Sequence, residues 1–169
     1  RKSSDNINDT LKSKKGTYNH EIPKTNSKYY ENINPIESKT FDSKIDLLKS
    51  VNNYLRSKGS IVNQVTANFL GEHKSIEIIR SDNQVLKDDR PLVRFNVSVV
   101  LEKDGKKETG VYGVGGRQSY DDYLKDGSWK DVCDEAFRIA NVNLESKPAP
   151  AGEMKVVLGP GWPAILIHE

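Results

Sequence analysis

Apolar residues recur every third or fourth position from Ile45 through Leu48 and Val51 to Leu55, the spacing that lines one face of an α-helix. Ser43 stands where an N-cap belongs and Gly59 where a helix stops, so a helix is expected over about residues 43–58. The period then changes to two. Val65, Ala67 and Phe69 alternate with Gln64, Thr66 and Asn68, and Ile76 and Ile78 repeat the alternation beyond Gly71 to Lys74, which reads as a hairpin turn between two short strands. After a polar turn at Ser81 to Gln84, Val93, Phe95, Val97 and Val99 alternate with Arg94, Asn96 and Ser98 in a strand from Leu92 to Leu101. Lys103, Asp104 and Gly105 turn the chain back into a strand over Glu108 to Val114.

A second helix is expected from about Trp129 to Leu144, with Ser128 as N-cap, Asp131 near its positive end, and Val132, Ala136, Ile139 and Ala140 sharing a face. The pattern predicts an α+β fold in which helices pack on one side of an antiparallel meander sheet. Residues 1–40, rich in Lys, Asn, Ser and Asp, read as a polar linker or extended segment, and 41–147 as the α+β domain. Pro148, Ala149, Pro150, Ala151 and Gly152 form a joint. A new unit, 148–169, begins there, with a short apolar strand at Met154 to Leu158, a turn over Gly159 to Pro163, and the start of a buried helix at Ala164 to Glu169.

Composition narrows the classes. The chain has 169 residues, 26 basic and 24 acidic, for a formal charge of +2. That balance gives no electrostatic footprint for nucleic acid or anionic lipid, so no direct nucleic-acid contact and no membrane partner is expected. No apolar run has the length of a membrane span, and Arg1 to Lys15 lacks the apolar stretch of a signal peptide. The single cysteine, Cys133, excludes an internal disulfide and fits a cytoplasmic protein. The start at Arg1 and the end at Glu169, directly after an apolar run, are expected to be cuts in a longer protein.

Among polar residues, His168 followed by Glu169 is the one pair that suggests catalysis. A metal hydrolase needs an imidazole ligand beside a carboxylate that can take a proton from water, although the dipeptide alone has little specificity. Gly113, Gly115 and Gly116 follow an antiparallel strand without a helix start, so they are read as sites of close backbone approach and not as a phosphate loop, with Arg117 beside them at the surface. His20 and His73 are read as solvated, Trp162 as a packing anchor, and Arg90 and Arg94 as part of a polar strand face.

Residues 142–169, VNLESKPAPAGEMKVVLGPGWPAILIHE, closely resemble the entry to the metal site of the TldD/PmbA family, and the likeness extends upstream through RPLVRFNVSV (90–99) and GVYGVGGR (110–117) to about residue 36. The resemblance implies a TldD-type catalytic subunit. It also implies that 41–147 is part of an N-terminal domain and that 148–169 begins a metallopeptidase domain, with the cofactor zinc, His168 as first zinc ligand and Glu169 as general base. The family's second histidine comes five residues after that first ligand and a further cysteine ligand much later, so this chain by itself is expected to be inactive and to hold no zinc tightly; Cys133 is not that cysteine. Implied partners are a PmbA-type subunit and an unfolded or extended peptide substrate. The alternatives are a noncatalytic PmbA-type subunit, against which the His168–Glu169 pair argues, and a nucleic-acid-binding module, against which the weak charge argues.

Overall fold

The computed structural model describes residues 30–80, 85–124, 127–160 and 165–168. Its elements are α1 (Phe41–Arg56), β1 (Val62–Ile79), β2 (Val85–Lys103), β3 (Lys106–Gly116), α2 (Asp121–Leu124), α3 (Ser128–Glu145) and α4 (Ile165–His168). The strands form one antiparallel sheet in the order β1-β2-β3, with helices packed on it, which is the α+β meander expected. The chain divides into two compact units, and the strands contribute residues to both.

The larger unit contains, among the described residues, Phe41–Phe69, Phe95–Val114, 123–124, 127–160 and 165–168. The period-two pattern of β2 places Phe95, Val97, Val99 and Leu101 on one face, and all four are fully buried. They meet Val51 and Leu55 of α1 and Val132, Cys133, Ala136 and Ala140 of α3. Phe69 of β1 stacks on Phe95 with centroids 4.5 Å apart. The β2–β3 turn puts Asp104 and Gly105 at φ 52° and 78°, the left-handed pair that a two-residue hairpin requires. Lys106, first residue of β3, reaches the C-terminus of α3, where its ammonium donates to the carbonyls of Asn143 and Leu144, each at 2.9 Å, and of Ser146 at 3.4 Å. A cation at that negative end satisfies carbonyls that the helix leaves open.

The smaller unit contains, among the described residues, 30–40, Leu70–Arg94 and Gly115–Asp122. Pro35 and Pro91 are buried in it, as is Val93. Lys39 pairs with Asp121 at 2.7 Å, and the guanidinium of Arg117 lies 5.3 Å from the centroid of the Tyr30 ring.

Four local expectations are corrected. β1 runs without interruption through Gly71 to Lys74, where a turn is expected from sequence. The strand continues because its far half pairs along β2, with Glu77 and Lys87 joined at 3.1 Å, and Gly71 leaves room for the Tyr120 hydroxyl. α1 begins at Phe41, so Ser43 sits inside the first turn and not at the cap. The residue before α3 is Gly127 at φ 78°, and the Ser128 hydroxyl donates to the Tyr123 carbonyl at 3.0 Å in place of capping the helix. Met154 to Leu158 has no regular structure and is exposed, Val157 to 95%, because no described strand pairs with it. The expected turn at Ser81 to Gln84 lies outside the described residues.

Candidate functional site

His168 is the last residue of α4, a four-residue helix, and is exposed there. Glu169, expected as the base, lies outside the described residues, as do Trp162 and His20. The segment leading to α4, residues 147–159, is exposed and has no regular structure, as its Pro148 and Pro150 favour, since each lacks a backbone donor. A zinc centre takes three or four protein donors. Among the described residues, no group of three or more His, Cys, Asp or Glu side chains is placed to hold a metal ion. His168 suits a single nitrogen donor, and the described residues do not by themselves complete a centre around it.

The remaining candidates resolve into structural roles. Cys133 is fully buried, and burial pushes its thiol up to about 12, with the Asp134 charge adding to the effect and Lys58 opposing it. A thiol held neutral in this way is neither a nucleophile nor a thiolate ligand. Gly113 and Gly115 are places of close approach: a Cβ at 113 would strike the Asn96 amide, and one at 115 would come 2.7 Å from the Val93 carbonyl oxygen. Arg90 donates to Asp88 at 2.6 Å, and Arg94 is exposed on the solvent face of β2. His73 departs from expectation. It lies inside β1, partly buried, and its Nε2 is buried without a hydrogen-bond partner among the described residues.

One charged cluster is invisible in the sequence because its members lie 80 positions apart. The Tyr54 hydroxyl donates to both oxygens of Asp134 at 2.9 and 3.1 Å, and Lys58 meets the same carboxylate at 2.5 Å. Lys58 also lies 4.7 Å from the Tyr54 ring centroid, while Trp129 meets that ring edge-on at 5.5 Å. Partial burial alone would raise the Asp134 carboxyl, but the hydrogen bonds from Lys58 and Tyr54 and the charge of Lys58 outweigh it and hold the group below its usual range. Perturbed groups of this kind mark active sites in many proteins. Here each group is paired within the cluster, which ties α1 to α3.

The donor set therefore leaves kinship to decide the class. The sequence pattern that defines the PmbA/TldA metallopeptidase central domain matches residues 34–144. The chain belongs to the PmbA/TldD family. It is 42% identical over 144 residues to the metalloprotease TldD homolog of Haemophilus influenzae, covering 83% of this chain and 30% of that protein. It is 40% identical over 152 residues to the protein of the same name from Buchnera aphidicola subsp. Acyrthosiphon pisum, covering 86% and 32%. The homolog from Buchnera aphidicola subsp. Schizaphis graminum is 39% identical over 147 residues, covering 83% and 30%. The chain thus spans about a third of the length of these curated PmbA/TldD relatives. The matched stretch is described as the family's central domain, where the sequence reading takes residues 41–147 as part of an N-terminal one.

No helix among the described residues is long and apolar enough to cross a membrane.

Proposed function

We propose that this chain is part of a zinc-dependent peptide hydrolase of the TldD type, with a PmbA-type subunit as partner, extended or unfolded peptides as substrate and the cytoplasm as its compartment. The observation that carries the proposal is the identity of 39–42% over 83–86% of the chain to proteins named metalloprotease TldD homologs. The family membership supports it across residues 34–144. His168 offers one imidazole nitrogen to the metal, with its ring exposed at the end of α4. Glu169 follows directly in sequence, and its carboxylate takes the proton from the attacking water and returns it to the departing amine. Zinc, when bound, supplies a Lewis acid that polarises the scissile carbonyl.

The 169 residues alone are proposed to be inactive, since a single imidazole is a weak ligand and His168 has no described donor cluster around it. Dialysis against dilute zinc followed by elemental analysis should leave well under one equivalent of metal on this chain. Stoichiometric zinc that survives dialysis and is indifferent to His168→Ala would reveal a different ligand set and sink the assignment.

A further inference from the structure

We draw no further inference here: the strongest candidate, the His73 imidazole inside β1, whose Nε2 is buried without a hydrogen-bond partner among the described residues, carries nothing because the residue is only partly buried and no metal-holding group of side chains is found among those residues, so a lone ring specifies no ligand.

Discussion

Gly110 of β3 lies directly against the backbone of Ala140 in α3: a Cβ at position 110 would fall 2.5 Å from the Ala140 nitrogen and 3.0 Å from its Cβ, and would also strike the Ala136 carbonyl. Backbone meets backbone here, so no flexible side chain can yield. Gly110→Ala should therefore destabilise the fold by about 1–3 kcal/mol through overpacking, even though alanine restricts the unfolded chain. Urea unfolding measures the change. A neutral result would mean that α3 shifts away from β3 at little cost.

Phe95 and Arg94 are neighbours in β2 with opposite fates. Phe95 is fully buried and stacked on Phe69, while Arg94 is exposed. Phe95→Ala should cost about 3–5 kcal/mol through lost burial and a residual cavity, and Arg94→Ala about 0.5 kcal/mol or less. The same urea titration in the reverse order would show that the faces of β2 are inverted.

The Asp134 cluster gives stability a defined pH dependence. Since the carboxyl is held below its usual range, its contribution is complete above the ordinary aspartate value of about 4 and is lost as pH falls through the lower folded-state value. Lys58 shows the opposite sign. Burial of its ammonium acts to lower it, but the hydrogen bond and charge of Asp134 outweigh that and raise it, so its contribution holds below about 10.5 and is lost at higher pH. Asp134→Asn should thus be less stable than the parent across neutral pH, with the gap closing in acid. Asp134 is 48% exposed, so solvent screening keeps the gap to about 1 kcal/mol or less. Equal gaps at pH 7 and pH 2.5 would remove the ion pair from the account.

Elements that obey one period over many residues are legible from the sequence, and those set by tertiary partners are not. β2 follows strict alternation, and its buried face is as the spacing predicts. α1 is recognisable from Ile45, Leu48, Val51 and Leu55, although it starts two residues before the expected boundary. At Gly71 to Lys74 the local residues favour a turn, but pairing with the long β2 overrides them. Ser128 looks like a cap by type, yet its hydroxyl is taken by the Tyr123 carbonyl. Helix α2, four residues long, has no periodic signal to find. The Tyr54–Asp134 contact spans 80 positions and leaves no local trace. His168 and Glu169 gain meaning only through the longer stretch around them, because two adjacent residue types specify little by themselves.

The central proposal is that Glu169 is the base of a metal-dependent peptide hydrolase, and it is tested in a protein of the relatives' full length that carries this sequence, prepared with the proposed PmbA-type subunit. Zinc content and peptide turnover are measured on the same samples. Glu169→Gln keeps the shape of the side chain but cannot accept the proton, so zinc should stay near the parent level while turnover falls by about 100-fold or more. His168→Ala removes a ligand, so metal and turnover should fall together. Full turnover by the Glu169→Gln protein with zinc still bound would contradict the account.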